Sequence, residues 1–349
     1  MVFDFNNIRI SHIASCVPKN VIDLSDFTSV YGESEVNKII KSTGIASIRK
    51  AGPAITTSDL CYEAAERIFN EGDVSKSLID AVVFVSQTPD YKLPQTSFVL
   101  QHKLGLSVDT LCFDLPLGCS GYIYGLFQAS VLIQSGCNKV LLMAGDTSTK
   151  MISSGDRSVS MVFGDGGSAT IVERGDGNLS SIIKSDGSGY DKLIINAGAF
   201  RNPSTSQTCV QVEREPGIYR SDEHLYMDGM AIMNFAISEV PLLIKQILEK
   251  RGWPQDEVDI YGLHQANSFM LNYLRKKMKL SPEQVPICVD NFGNTGPASI
   301  PLMLVNLYSE QEQNAVLEKV ILCGFGVGLS WGAIATSLAN TKFHKLIEI

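Results

Sequence analysis

The chain has 349 residues, more than one hydrophobic core ordinarily carries, so two lobes or a duplicated α/β unit is the expectation. A net charge of −8 argues against nucleic acid as a partner unless a local basic patch provides the contact. The eight cysteines, at positions 16, 61, 112, 119, 137, 209, 288 and 323, form no CxxC pair and no Cys/His cluster at metal spacing, which reads as reduced thiols and no metal site.

The N-terminal MVFDFNNIRI carries acids where a secretion signal carries lysines. No apolar run reads as the roughly 20 residues of a membrane span, so a cytoplasmic protein without membrane contact is expected. Residues 1–16 read as a strand, 34–43 as a helix closing at Thr43-Gly44, and 58–71 as a helix capped by Thr57 or Ser58. DAVVFVSQT follows as a buried strand, then a helix over 95–104. The β-rich run Thr110 to Leu115 stops at Pro116 and reopens as a helix, with Tyr122, Leu126, Ala129, Val131 and Leu132 spaced for one buried face. Cys119 sits at that turn. Unpaired amide groups and the helix dipole favour an anion there, pushing a thiol of ordinary pKa about 8.5 toward thiolate. Small neighbours, Gly118 and Gly121, let a carbonyl approach the sulfur, although a buried structural role is the commonest fate of a free cysteine. Strand 139–146 and a turn-strand over 163–174 complete this half. FGDGGS lacks the Gly-Lys-Ser/Thr ending of a phosphate loop, so it reads as a turn with Asp165 structural. The stretch 185–227, rich in Gly, Ser and Pro, reads as a long loop near a pocket mouth.

The second half repeats the order of the first. Helix 229–251 leads into EVDIYGLHQAN as helix 58–71 leads into LIDAVVFVSQT, with Ile79 and Val258 179 positions apart. A predicted strand, ICVDN, runs into FGNTGPASIPLMLVNLYSE, placing Asn294 where Cys119 falls, and KVILCGFG echoes KVLLMAGD. The pair FGDGGS and FGVGLS matches at Phe, Gly, Gly and Ser. Four matches in one order predict two similar α/β halves, 1–175 and 176–349. Ligands of such sheets gather at the carboxyl ends of strands, which here carry Cys119, His264, Asn294 and the FGVG turn.

A lone histidine is more often a satisfied core or surface residue than a catalyst, and asparagine is common in glycine-rich turns. The repeat is what brings these two beside the cysteine. Two chemistries use the trio. In a papain-like protease Asn orients His, which deprotonates Cys. In a decarboxylating condensation Cys carries an acyl group while His and Asn donate hydrogen bonds to a malonyl thioester oxygen, each such donor worth about 3 kcal/mol. The protease reading lacks a secretion signal, a disulfide framework and a β-rich domain after the cysteine.

Cys119 in LGCSG, His264 in HQAN, Asn294 in FGNTGPASIP and the closing GFGVGLSWG resemble β-ketoacyl-acyl carrier protein synthase III of the thiolase superfamily. The resemblance runs over nearly the whole length. It implies an α/β chain in the five-layer αβαβα thiolase fold, a homodimer, and no required cofactor, with acyl-CoA or acyl-ACP as substrates. It implies Cys119 as the acylated nucleophile, His264 and Asn294 as the enolate oxyanion hole, and the N–H groups of Cys119 and Val327 as the acyl oxyanion hole. Arg157, Asn267, Arg275, Lys276 and Lys277 are implied as carrier or coenzyme A contacts, the basic helix end in LRKKMKL suiting an acidic acyl carrier protein. The sequence departs from the family at Lys38 and Ser42, where a tryptophan and an arginine clamp coenzyme A, and at Phe269, where an arginine is usual. Those losses favour a carrier-bound or unusual acyl group. An ester- or amide-forming acyltransferase on the same fold is the alternative.

Overall fold

The computed structural model describes residues 1–310 and 317–349. Strand β1 (Val2–Val17) is followed by helix α1 (Glu33–Thr43) and helix α2 (Thr57–Glu71). The cap of α2 is Thr56, one residue earlier than expected, because its side chain and that of Asp59 form a reciprocal capping box. Strands β2 (Ala81–Val85), β3 (Leu111–Leu115) and β4 (Lys139–Asp146) are separated by α3 (Thr96–Lys103) and α4 (Gly121–Gln134). Strand β5 (Gly166–Ser185) outruns the expected turn-strand. Helix α5 (Gly229–Arg251), β6 (Ile260–Leu263), α6 (Ser268–Lys277), α7 (Ser299–Tyr308), β7 (Val320–Gly326) and β8 (Ser330–Thr336) complete the main elements.

The ladders recur in one pattern. β2 pairs in parallel with β4, β4 antiparallel with the first part of β5, and that part antiparallel with residues 8–16 of β1. β6 pairs in parallel with β7, β7 antiparallel with β8, and β8 antiparallel with residues 180–185 of β5. Even the strand entrances match: Asp80 N–H donates to Lys139 O and Asp259 N–H to Lys319 O, both at 2.9 Å. The Asp80 carboxylate accepts from Lys139 N at 3.1 Å and that of Asp259 from Lys319 N at 2.8 Å.

One expected strand is missing from the second set. Residues 287–291, ICVDN, form no ladder, despite their β-branched start. The buried Gln265 amide holds this run instead, accepting from Cys288 N at 3.0 Å and donating to Pro286 O at 3.3 Å.

Both sheets are covered on both faces. Helices α4 and α7 lie between them in a core that joins Tyr122, Ile123 and Leu126 to Ile300, Met303 and Leu304. Helix α2 closes the outside of the first sheet through Leu60, Ala64 and Ile68, and α5 the outside of the second through Val240, Leu243 and Ile247. The layers thus run helix, sheet, helix, sheet, helix. Contrary to the sequence expectation, α5 is long and apolar enough to cross a membrane by length and composition. In the fold its apolar stripe is spent on β7 and β8.

The last residues fold back along β1, where His12 Nδ1 lies 3.1 Å from His344 Nε2. Burial is the main cause holding both imidazoles below their ordinary pKa. They stay neutral in the fold while the unfolded chain takes up protons below about pH 6.5, so their contribution is present above that pH and lost below it. Urea unfolding should therefore show stability falling as pH drops from 6.5 toward 4.5. His344→Gln should make the fall shallower by up to about 1.4 kcal/mol per pH unit, the worth of one proton.

Candidate active site

Cys119 stands just before α4, whose N-cap position is Ser120. The Ser120 hydroxyl does not cap the helix; it meets Ser330 Oγ at 2.6 Å, tying the helix start to β8. The turn rests directly on β7. A Cβ added to Gly326 would lie 2.6 Å from Cys119 Cβ and 3.2 Å from its sulfur, so only glycine allows this approach.

His264 follows the last residue of β6, and its N–H donates to Cys323 O at 2.8 Å, continuing the ladder. The ring packs edge-on to Phe325 with centroids 5.6 Å apart, and Nδ1 lies 2.7 Å from Ser299 Oγ. Asn294 is held at both backbone ends by the FGDGG turn: its N–H donates to Val162 O at 2.8 Å and its carbonyl accepts from Gly164 N at 3.0 Å. Asn294 Oδ1 accepts from Gly296 N at 3.0 Å. With the oxygen so occupied, the amide NH2 is the end left to face the sulfur. Asp165 is structural, accepting from Ala51 N at 2.7 Å, Thr149 N at 2.9 Å and Thr149 Oγ1 at 2.6 Å.

Cys119, His264, Asn294, Asn267 and Val327 all line one cavity of about 80 Å³, closed elsewhere mainly by apolar side chains that include Phe163, Leu193, Met227 and Met270. Leu193 and Met227 come from the 185–227 stretch, which does reach the pocket. Arg157, Arg275, Lys276 and Lys277 lie outside this lining. The Arg157 guanidinium donates to Pro216 O at 3.1 Å and Gly217 O at 2.9 Å and lies 3.5 Å from Glu35. Asn267 caps α6, its side chain accepting from Met270 N at 2.8 Å. Arg275 donates to Asn272 Oδ1 at 3.1 Å and Lys277 to Ile237 O at 2.9 Å. Lys38 and Phe269 are exposed on α1 and α6, whose ends meet where Ser268 packs against Gly44. Among the described residues no three His, Cys, Asp or Glu side chains gather as metal ligands would.

Burial reverses one electrostatic expectation. It pushes the Cys119 thiol up to about 12, with a further push from Asp146. The N–H groups of Cys119 and Val327 and the Asn294 amide bond to the sulfur and pull the other way without overcoming it. The helix dipole is legible in sequence; the loss of water around the sulfur is not. Burial likewise lowers the His264 imidazole to about 3, so the ring is neutral at working pH. Asp146, overlooked in the sequence, ends β4 fully buried and accepts from Ser86 Oγ at 2.8 Å and Gln87 N at 2.7 Å; burial raises it to about 7. Ser299 was overlooked too, lying 35 residues from the ring it touches.

Residues 113–187 match the family model for 3-oxoacyl-[acyl-carrier-protein (ACP)] synthase III, and residues 248–338 match the model for its C-terminal part. A putative 3-oxoacyl-[acyl-carrier-protein] synthase 3 of Campylobacter jejuni is 34% identical, the match covering 98% of this chain and 97% of that protein. The chain belongs to the 3-oxoacyl-[acyl-carrier-protein] synthase III family. It is a condensing acyltransferase with the thiolase-like fold. A β-ketoacyl-[acyl-carrier-protein] synthase III of Lactococcus lactis is 32% identical over 95% of this chain and 99% of its own. The crystal structure of a 3-oxoacyl-(acyl-carrier protein) synthase from Burkholderia xenovorans superposes with a TM-score of 0.93 at 38% identity, covering 100% of this chain and 99% of that one.

In this synthase a thiol held near pKa 12 should alkylate with iodoacetamide at a rate that climbs about tenfold per pH unit from 7 to 10. Peptide mass at Cys119 against pH, which separates it from exposed Cys209, reads it, and a plateau below pH 8 would contradict the buried thiol. Gly326→Ala should lower stability in urea unfolding by about 1–3 kcal/mol, because the added methyl overpacks the turn against β7.

Proposed function

We propose that Cys119 is the nucleophile of a decarboxylative condensation, with His264 and Asn294 stabilising the enolate. The observation that carries this reading is the shared cavity: a sulfur bonded by the N–H groups of Cys119 and Val327, facing an amide NH2 whose oxygen is already occupied and a neutral imidazole. In acylation the Cys119 sulfur bonds to the acyl carbon, the bond from that carbon to the carrier sulfur breaks, and the thiol proton leaves with the carrier thiol. The N–H groups of Cys119 and Val327 receive the negative oxygen formed on the way. A malonyl thioester then loses CO2, and the electron pair of the broken C–C bond becomes the enolate held by His264 and Asn294. Its carbon attacks the acyl group, the Cys119 sulfur leaves and takes a proton from water, and a 3-oxoacyl thioester departs. No side chain removes a proton from carbon, which suits an imidazole buried among apolar groups and poor at holding a proton.

Incubation with acyl thioesters should add one acyl mass to the protein and none to Cys119→Ala. His264→Ala and Asn294→Ala should acylate normally yet condense at least about 100-fold more slowly. Normal condensation by either variant would remove the enolate assignment.

The acyl donor is carried by coenzyme A or by acyl carrier protein, with no other cofactor. Asn267 and Arg157 are assigned to the pantetheine or nucleotide end and Arg275, Lys276 and Lys277 to the acidic carrier protein. None of these three forms an ion pair among the described residues, which leaves them available to a partner. Eight free thiols suit the reducing cytoplasm. The two halves are taken as 1–175 and 176–349, the boundary falling inside β5.

The enzyme is a homodimer joined at β3. Among the described residues that strand has one ladder neighbour, β2, and its free edge carries exposed Leu111 and Phe113 beside Phe98 of α3. Light scattering should give twice the chain mass, and Phe113→Lys should shift it toward the single-chain value.

A further inference from the structure

We propose that Ser299 is a positioning residue that fixes the tautomer of His264, holding the imidazole proton on Nε2. The proposal rests on the enolate role of His264 given above and names what makes that role possible.

A neutral imidazole has one N–H and two nitrogens to place it on. A donor to an enolate oxygen in the cavity needs that proton on Nε2, because Nδ1 is turned to Ser299 at 2.7 Å. Hydrogen-bond accounting at the serine decides the matter. Ser299 opens α7 and is 2% exposed, so water does not complete its bonds. Its Oγ has two described neighbours, His264 Nδ1 at 2.7 Å and the Gln265 N–H at 3.3 Å. The Gln265 N–H can only donate, so it takes a lone pair of the hydroxyl. The hydroxyl hydrogen is left with Nδ1 as its acceptor among the described bonds. The opposite tautomer would place two N–H groups on Oγ and leave the hydroxyl hydrogen, in a buried site, without an acceptor among the described bonds.

The same short segment orients both donors of the enolate hole. Gly296 N–H takes Asn294 Oδ1 and turns the amide NH2 inward; three residues later the Ser299 hydroxyl takes Nδ1 and turns Nε2–H inward. Permanent protonation of Nε2 also means that the ring does not receive the Cys119 proton. Acylation and decarboxylation should therefore respond differently to the serine.

The test uses full-length protein labelled with 15N-histidine, in which long-range proton–nitrogen NMR distinguishes Nε2–H from Nδ1–H among five histidines, His264 being assigned by the loss of its signals in His264→Gln. Wild type should show His264 as the single Nε2–H tautomer. Ser299→Ala should show a tautomer mixture and release CO2 from a malonyl thioester at least about tenfold more slowly, with Cys119 acylation by intact mass within about twofold of wild type. Ser299→Thr, which keeps the hydroxyl, should recover the Nε2–H signature and most of the CO2 release. An Nδ1–H ring in wild type overturns the proposal whatever the variants do. So does Ser299→Ala decarboxylating at the wild-type rate, or losing acylation and decarboxylation together. If wild type takes no acyl group and releases no CO2, the condensation reading fails, and the tautomer signature still tests the role of Ser299.

Discussion

The site depends on one pair of backbone hydrogen bonds. Asn294 N–H to Val162 O and Gly164 N–H to Asn294 O fasten a turn from the C-terminal part of the chain onto a turn from the N-terminal part. The pairing is a single isolated bridge, Phe163 to Asn294, outside either sheet. Gly293, at φ 70° and with Gly164 N 3.0 Å from where a Cβ would stand, permits the contact. Through it, a carboxamide more than a hundred residues away is presented to Cys119, whose own turn is held against Gly326. The candidate site is thus a junction of turns, one resting on β7 at Gly326 and one pinned by the turn at Phe163 and Gly164.

Burial then sets the chemistry. Removing water from Cys119 and His264 disfavours both charges, so the resting pair is a neutral thiol beside a neutral ring rather than an ion pair. In the proposed condensation a charged imidazole would be a stronger hydrogen-bond donor, but it would also attract and hold the malonyl carboxylate that has to leave. A neutral donor aimed at the developing oxyanion discriminates between the carboxylate in the ground state and the enolate in the transition state. Asp146, buried near Cys119 and raised to about 7 by burial, adds to the bias against a resting thiolate.

Much of this was legible because the chain says it twice. Asp80 and Asp259 open equivalent strands and make equivalent bonds, and His264 follows the end of β6 as the internal match expects, while Asn294 stands in a turn with no strand before it. What misled was chemistry settled by distant partners. ICVDN has a strand's composition, yet the Gln265 amide takes Cys288 N–H and no neighbouring strand does. Helix α5 has a membrane span's hydropathy, and only its packing on the second sheet tells it apart. The Cys119 helix dipole was visible and the dry pocket was not. Ser299 reads as an ordinary helix start; its meaning exists only where α7 meets the end of β6.

Strand β5 is twenty residues long and contributes its first part to one sheet and its last part to the other, with β1 alongside it in antiparallel register for almost its whole length. A duplicated chain joined by a loose tether is free to hinge, and its copies can be cut apart and mixed again. Here the tether is itself strand, paired with β1 on both sides of a register shift opposite residues 175–177. Opening a path for a bulkier acyl group is therefore a matter for the loops around the pocket, Leu193 and Met227 among them, and not for a movement of one lobe against the other.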